Sequence, residues 1–190
     1  MPTRIFAGAV SISHQWVAQV LKAGMTAVDA TAGNGRDTLF LARLVGNNGK
    51  VYAFDIQEEA LRKTKLLLEN NGVADRVQLI RDSHENLSTY IDEKAAVVMF
   101  NLGYLPGGDK SIVTRPESTL HALQEGMKVL ASGGLIVLTV YTGHSGGEEE
   151  WKALQKFLWK LPRQNWDVAR LSFLNRGPHP PFCVGLQKLP

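Results

Sequence analysis

The chain has 190 residues, a formal net charge of +3 and a sequence pI near 9.0. Its 44% hydrophobic and 21% charged residues exclude a disordered or collagen-like chain, and its length fits one domain with a sizeable core. No apolar run could span a bilayer, the first residues lack a signal-peptide pattern, and the single cysteine, Cys183, excludes an internal disulfide. We therefore expect one domain over residues 1–190, located in the reducing cytoplasm, without a membrane partner.

Hydrophobic periodicity and turn residues predict alternating helices and strands. The predicted helices cover residues 13–23, 35–45, 58–71, 84–90, 116–130 and 148–161. The predicted strands cover 25–30, 51–55, 77–81, 95–101, 135–141, 166–173 and 182–188, with a turn at 132–134 and a long loop at 102–115. This alternation predicts an α/β fold with a mostly parallel seven-stranded sheet and helices on both faces. The last two strands have no helix between them, so we expect an antiparallel C-terminal hairpin.

A glycine loop between the first strand and its helix is the most informative segment. Asp29 ends the strand, Gly33 and Gly35 form the turn, and a second strand ends at Asp55, 20 residues after Gly35. In doubly wound folds this arrangement binds adenosine, because glycines let the backbone approach the ligand and the acid accepts hydrogen bonds from ribose hydroxyls.

The loop favours one class of adenosine cofactor. It has Thr38 where a dinucleotide fingerprint has its third glycine, and it lacks the lysine of a phosphate-binding loop. A carboxylate at Asp29 would repel a pyrophosphate, whereas it suits the amino group and sulfonium of S-adenosylmethionine, and Asp37 adds to that preference. The alternative is a strand-to-helix turn without a ligand.

These residues resemble the class I S-adenosylmethionine-dependent methyltransferases. More narrowly, the segments DATAGNGRDT at 29–38, DSH at 82–84 and NLGYLPGGDK at 101–110 resemble one small bacterial family first labelled as rRNA methylases. That family is similar to the bacterial enzymes that methylate the aminomethyl group of 5-aminomethyl-2-thiouridine at the tRNA wobble position. The resemblance covers nearly the whole chain and implies a Rossmann-like methyltransferase domain with S-adenosylmethionine as cofactor.

The cofactor residues are expected at the carboxyl ends of the first four strands. The resemblance implies that Asp55 holds the ribose beside Gln57, that the 82–84 segment surrounds the adenine, and that Asn34 and Asp37 contact the methionine end. The predicted set is Asp29, Gly33, Asn34, Gly35, Asp37, Thr38, Asp55, Gln57, Asp82, Ser83, His84 and Asn101. Thr38 could instead bond back to its helix, Ser83 could cap the next helix, and His84 could be an ordinary exposed histidine.

The loop after the fourth strand is the expected methyl-transfer site. Amino methyltransferases often carry Asn/Asp-Pro-Pro-Tyr/Phe there, and this chain keeps Asn101 and Tyr104 but lacks the two prolines. This departure disfavours an exocyclic base amine as the acceptor. Asn101 and Tyr104 are the predicted catalytic residues, the first accepting from the acceptor amine and the second stacking on a base, with apolar packing as the alternative for Tyr104. In-line methyl transfer needs alignment and no metal, and no residue is an obvious general base.

Contacts to the substrate are predicted from the same edge of the sheet. His14, near the start of the first predicted helix, is a candidate lid residue or proton acceptor. The predicted substrate-binding set is His14, Tyr104, Lys110, Arg115, His144 and Arg176, where Lys110 and Arg115 could meet phosphates and Arg176 could touch RNA. The alternatives are a structural role for His14 and a surface turn for Arg176.

The expected partner is the anticodon stem-loop of tRNA, an expectation that rests on the resemblance. An rRNA, a small-molecule acceptor, and a non-enzymatic module that senses adenosine nucleotides or binds RNA remain alternatives. The apolar face near Trp151, Phe157, Leu158 and Trp159 is expected to be core, with a homodimer contact as the other possibility.

Overall fold

The computed structural model of the protein describes residues 4–103 and 115–190. Its helices are α1 (Ala9–Val20), α2 (Arg36–Val45), α3 (Glu58–Asn70), α4 (Pro116–Val129) and α5 (Gly147–Leu158). Its strands are β1 (Thr26–Asp29), β2 (Lys50–Phe54), β3 (Val77–Ile80), β4 (Ala95–Leu102), β5 (Leu130–Val140), β6 (Trp166–Leu171) and β7 (Phe182–Lys188). Short 3-10 helices follow at Ala74–Arg76 and His84–Thr89.

The seven strands form one sheet in the order β3-β2-β1-β4-β5-β7-β6. Strands β1 to β5 pair in parallel, and only β7 runs antiparallel to its two neighbours, β5 and β6. The prediction of a mostly parallel seven-stranded sheet with a C-terminal hairpin is therefore confirmed. The strand order reverses between β1 and β4, which opens a crevice at the carboxyl ends of the strands. Because β6 has the direction of β5, the loop from β6 to β7 lies at this same carboxyl edge.

Helices cover both faces of the sheet, as predicted. On one face Val17 of α1, Leu41 of α2 and Leu68 of α3 are buried against the sheet residues Val97 and Val137. On the other face Leu123 of α4 and Leu154 of α5 are buried with Phe100 and Ile136. Burial of apolar side chains on both faces explains why the central strands are nearly continuous hydrophobic runs.

Two elements begin four or more residues earlier than the sequence predicted. Helix α1 begins at Ala9, four residues early, because Ala9, Ile12 and Ser13 are buried and the Ser13 hydroxyl donates to the Ala9 carbonyl. Strand β5 begins at Leu130 rather than at residue 135. Ala95 pairs with Leu130 and Val97 pairs with Leu135, so the predicted turn at 132–134 is a bulge within the strand.

The apolar face of α5 is mostly core. Leu158 is buried, and Trp151 and Phe157 pack against the same cluster, as the core interpretation expected. Trp159 lies outside that cluster with 79% of its surface exposed, and a homodimer contact there stays a prediction.

Two kinds of feature are absent from residues 4–103 and 115–190. No helix in these ranges is both long and apolar enough to cross a membrane. No group of three or more His, Cys, Asp or Glu side chains there is arranged to hold a metal ion.

Candidate active site at the carboxyl edge

The turn between β1 and α2 depends on two glycines with positive φ. Gly33 has φ 53° and Gly35 has φ 76°, a region that residues with a Cβ rarely adopt. A Cβ on Gly35 would lie 2.9 Å from the Cα of Thr64, because α2 starts directly against α3. The Thr64 hydroxyl also donates to the Gly33 carbonyl at 3.1 Å. Gly35 is therefore required for the packing of two helices, whereas the sequence interpretation assigned both glycines to close approach of the ligand.

Asp29 ends β1 as a buried carboxylate with 1% exposure. It accepts hydrogen bonds from the Thr38 hydroxyl at 2.6 Å and from the Thr31 backbone N–H at 3.1 Å. Burial raises the pKa of Asp29 to about 7, and the negative charge of Asp37 adds to that rise. Thr38 is fully buried and fixes Asp29, a role that neither of the sequence alternatives for Thr38 included.

Asp37, in the first turn of α2, joins two other predicted site residues. Its Oδ1 lies 2.7 Å from His14 Nε2, and its Oδ2 accepts from Asn101 Nδ2 at 3.1 Å. The imidazole of His14 stacks on Phe40 with ring centroids 3.8 Å apart. His14 lies inside α1, in its second turn, rather than at its start as predicted. Helices α1 and α2 and strand β4 thus bring their polar side chains to one point.

The loop after β1 is also fastened to β4. The Asn101 backbone N–H donates to the Thr31 hydroxyl at 2.7 Å, which fixes the end of β4 beside the glycine turn. Tyr141, the residue after β5, is half-buried, and burial together with the charge of Asp37 raises its pKa. Sequence reasoning missed Thr31 and named Tyr141 only as part of a segment, residues 141–147, that could enclose the acceptor. The signal was present for Tyr141, since the residue after a central parallel strand lies at the carboxyl edge.

Asp55 follows β2 on the other side of the crevice. Its Oδ2 accepts from the Gly33 backbone N–H and its Oδ1 from that of Gln57, both at 2.9 Å. Partial burial raises the pKa of Asp55, and these two hydrogen bonds oppose the rise. An ionised carboxylate offers about four acceptor sites, so the group can accept further hydrogen bonds. The glycine turn and Asp55 are therefore positioned by direct contact.

The segment after β3 forms a third wall. His84 Nδ1 lies 3.3 Å from the Ala30 carbonyl, which only accepts, so Nδ1 carries the proton and Nε2 is the acceptor. Burial lowers the pKa of His84, which favours the neutral ring. His84 is thus not an ordinary exposed histidine.

Ser83 and Asp82, the two residues before His84, make local hydrogen bonds. Ser83 caps the 3-10 helix by accepting from the Glu85 backbone N–H, which is the capping alternative raised from the sequence. Asp82 accepts from the Ser83 backbone N–H and from the Tyr90 hydroxyl, and the Tyr90 bond lowers the pKa of Asp82.

The predicted substrate contacts are dispersed around this crevice. Arg115 stands just before α4 and is exposed, and His144 lies in the loop before α5 with its Nδ1 3.0 Å from the Ser145 carbonyl. Arg176 Nη1 and Nη2 donate to the Ala7 and Phe6 carbonyls, so its guanidinium is engaged with backbone. Tyr104 and Lys110 lie outside the described residues. The ligand-contact roles of the whole site set stay predictions.

The chain is similar to proteins that modify RNA. Residues 51–187 match the family described as "Putative rRNA methylase". The chain is 40% identical, over an alignment of 190 residues, to "tRNA (mnm(5)s(2)U34)-methyltransferase, chloroplastic" of Arabidopsis thaliana. That alignment covers 95% of this chain and 69% of the plant protein.

Two solved structures share the fold over the full length of the chain. An "rRNA-methylase" of Clostridium thermocellum superposes with a TM-score of 0.94 at 43% identity, covering 100% of both chains. A Streptococcus mutans "methyltransferase" in complex with SAH superposes with a TM-score of 0.87 at 38% identity, again covering 100% of both chains.

Proposed function

The chain belongs to the rRNA methylase family, and we propose that it is an S-adenosylmethionine-dependent tRNA methyltransferase acting on the 5-aminomethyl group of the wobble 2-thiouridine. The assignment of the cofactor rests on the cluster of Asp29, Asp37 and Asp55 around the glycine turn. The negative charge of these carboxyl groups suits a cationic adenosine compound and would repel a pyrophosphate. The 40% identity to the Arabidopsis tRNA enzyme over 95% of this chain supports the acceptor.

The crevice residues match the parts of this cofactor. Asp55 would accept from the ribose hydroxyls with the lone pairs that Gly33 and Gln57 leave unused. His84 Nε2 would accept from the amino group of the adenine, because Nδ1 is committed to Ala30. The carboxylates of Asp29 and Asp37 would face the cationic methionine end. When bound, the cofactor supplies an electrophilic methyl group on its sulfonium.

Asn101 would align the acceptor amine. Its Nδ2 donates to Asp37, so its Oδ1 is the end of the amide that accepts a hydrogen bond from an amine. A neutral amide suits this contact better than a carboxylate, since a carboxylate would hold the amine in its protonated, non-nucleophilic form. Alignment of the amine is the main catalytic contribution of the protein in this proposal.

His14 is the proposed proton acceptor. A free alkyl amine has a pKa near 10, so one proton must leave the amine for methyl transfer to occur at neutral pH. His14 Nε2 faces Asp37, which leaves Nδ1 as the atom that takes up a proton. The carboxylate of Asp37 would stabilise the imidazolium that forms, as carboxylates do for catalytic histidines.

The substrate-side proposal includes the anticodon stem-loop as the bound part of the tRNA. Tyr104, Lys110, Arg115 and His144 are proposed contacts, in keeping with RNA recognition by stacking on unpaired bases and cationic contacts to phosphate. A single domain over residues 1–190 and a cytoplasmic location complete the proposal. The free and buried Cys183 is compatible with such a reducing compartment.

The test is transfer of tritium from labelled S-adenosylmethionine to bulk tRNA from cells that lack this gene, followed by nucleoside mass spectrometry. We expect a new methyl group on 5-aminomethyl-2-thiouridine. Absence of tritium incorporation into tRNA, alongside tight cofactor binding, would overturn the proposal that tRNA is the methyl acceptor. Labelling of rRNA from the same cells would then favour the alternative that the family description names.

A further inference from the structure

Residues 4–8, here called the rim segment, are held in place by side chains from two other parts of the chain. Arg176 donates from Nη1 to the Ala7 carbonyl at 3.2 Å and from Nη2 to the Phe6 carbonyl at 2.5 Å. Gln15 of α1 donates to the Ile5 carbonyl at 2.8 Å. The guanidinium of Arg176 itself lies 3.7 Å from the centre of the Phe173 ring. Three consecutive backbone carbonyls of the rim segment are thus fixed.

The side chains of the rim segment point into solvent although its backbone is fixed. Phe6 is 58% exposed and Ile5 is exposed to the same extent. Leu174, in the turn that carries Arg176, is fully exposed. Large apolar side chains that are exposed together and held on an ordered backbone indicate a binding surface rather than a part of the core.

The charge of this surface suits a polyanion. The rim segment and the β6–β7 loop, residues 172–181, contain Arg4, Arg176 and His179 and no aspartate or glutamate. The acidic boundary is Glu148 at the start of α5, whose carboxylate lies 3.6 Å from His179 Nδ1. An aromatic side chain bordered by cationic residues is the composition of surfaces that bind single-stranded nucleic acid.

The surface lies beside the candidate active site. The rim segment leads directly into α1, and His14 of that helix contacts Asp37. The β6–β7 loop is at the carboxyl edge of the sheet, where β1, β2 and β4 present Asp29, Asp55 and Asn101. A polynucleotide that extends from the crevice along this edge would therefore contact this surface.

We propose that the rim segment is a stacking platform for an unpaired base of the RNA substrate, with Phe6 as the stacking residue and Arg176 as its positioning residue. The identification of the RNA as the substrate rests on the proposed function. Arg176 acts through the backbone of Phe6 and Ala7, which replaces the direct RNA contact expected from the sequence. Because every base has a π-face, the platform binds single strands with little sequence preference.

The experiment measures binding of a fluorescent oligouridine and of a blunt RNA duplex to the full chain, with SAH affinity measured in parallel by calorimetry. Phe6→Ala is expected to weaken oligouridine binding by about tenfold, the effect typical of losing one stacked base, and Phe6→Trp is expected to restore it. Duplex binding and SAH affinity should not change. Trp159→Ala, which removes an aromatic side chain that is even more exposed, is the matched control.

A second arm separates a positioning role of Arg176 from a phosphate contact. Arg176→Gln should weaken oligouridine binding, and the double variant with Phe6→Ala should be no weaker than the weaker single variant. Additive losses would overturn the positioning role.

The outcomes also separate this inference from the proposed function. Equal oligouridine binding by wild type and Phe6→Ala, or none by wild type, would overturn the platform even if tRNA is methylated. Phe6-dependent binding without methylation of tRNA would leave the platform in place and overturn the proposed acceptor.

Discussion

Asp37 holds His14 by a contact of 2.7 Å between Oδ1 and Nε2, although 23 residues separate the two in the chain. The same helix supplies Phe40, on which the imidazole lies nearly flat, with 6° between the ring planes. The stacking on Phe40 therefore fixes the plane of the His14 ring, and the contact with Asp37 fixes the rotation of the ring within that plane. As a result, Nδ1 is the ring nitrogen that remains for proton uptake.

His14→Phe is expected to lower kcat for methyl transfer by about a hundredfold, because the ring still stacks on Phe40 but no longer accepts a proton. SAH affinity should change little. The split between kcat and SAH affinity is the diagnostic measurement, since removal of the proton acceptor should lower kcat alone. His121→Phe, at an exposed histidine on α4, is the control. An unchanged kcat in His14→Phe would assign His14 to packing.

Asp55→Asn is expected to weaken binding of S-adenosylmethionine at least tenfold. The substitution removes the charge from hydrogen bonds to two ribose hydroxyls, and hydrogen bonds to charged groups contribute about 1.5–3 kcal/mol each. Isothermal titration calorimetry measures the effect, and Asp167→Asn at an exposed position on β6 is the matched control. Equal affinities for wild type and Asp55→Asn would remove Asp55 from the ribose site.

Much of this site follows from the sequence because parallel strands deliver their last residues to one edge. Asp29, Asp55 and Asn101 each end or follow a strand whose apolar run is clear, and the structure brings all three to the crevice. The contact between His14 and Asp37 could not be predicted, since it depends on how α1 packs against the sheet. The start of α1 was placed too late for a related reason, because buried Ser13 hides the apolar face.

The function of individual polar residues was harder to predict than their location. Thr38 is three residues beyond Gly35, so a position near the ligand was foreseeable, but its hydrogen bond to Asp29 depends on the depth of the turn. Arg176 looked like an RNA contact because it stands in a basic turn. Its engagement with the Phe6 and Ala7 carbonyls required knowing that two segments almost a chain length apart are neighbours.

Gly35→Ala is expected to destabilise the protein more than Gly72→Ala. Both glycines have positive φ, 76° and 63°, so both variants incur the left-handed strain of about 1–2 kcal/mol. Nothing lies within 4 Å of a Cβ on Gly72, whereas a Cβ on Gly35 meets Thr64 Cα at 2.9 Å. The difference between the two midpoints in urea unfolding isolates the contact between α2 and α3. Equal midpoints would show that α2 can shift away from α3 without loss.

The affinity for S-adenosylmethionine, relative to SAH, is expected to rise with pH through about 7. The pKa of Asp29 is raised to about 7 by burial and by Asp37, so below that pH the carboxyl is largely protonated. A cationic sulfonium favours the ionised form, and binding below pH 7 must therefore release a proton, which weakens affinity as the pH falls. SAH has a neutral sulfur and lacks this coupling. The effects of titrations that act equally on both ligands cancel in the ratio of the two dissociation constants.

Asp29→Asn makes this prediction specific to one carboxyl group. The amide keeps nearly the same volume at a fully buried position but carries no charge at any pH, so the ratio of the SAH and S-adenosylmethionine dissociation constants should become independent of pH between 6 and 8. Thr38→Val is the complementary variant. It removes the hydroxyl that donates to Asp29 at 2.6 Å, a bond that lowers the pKa, and should move the pH dependence upward. A ratio that is flat in wild type would mean that the methionine end lies away from Asp29, and the cationic-ligand argument would then rest on Asp37 alone.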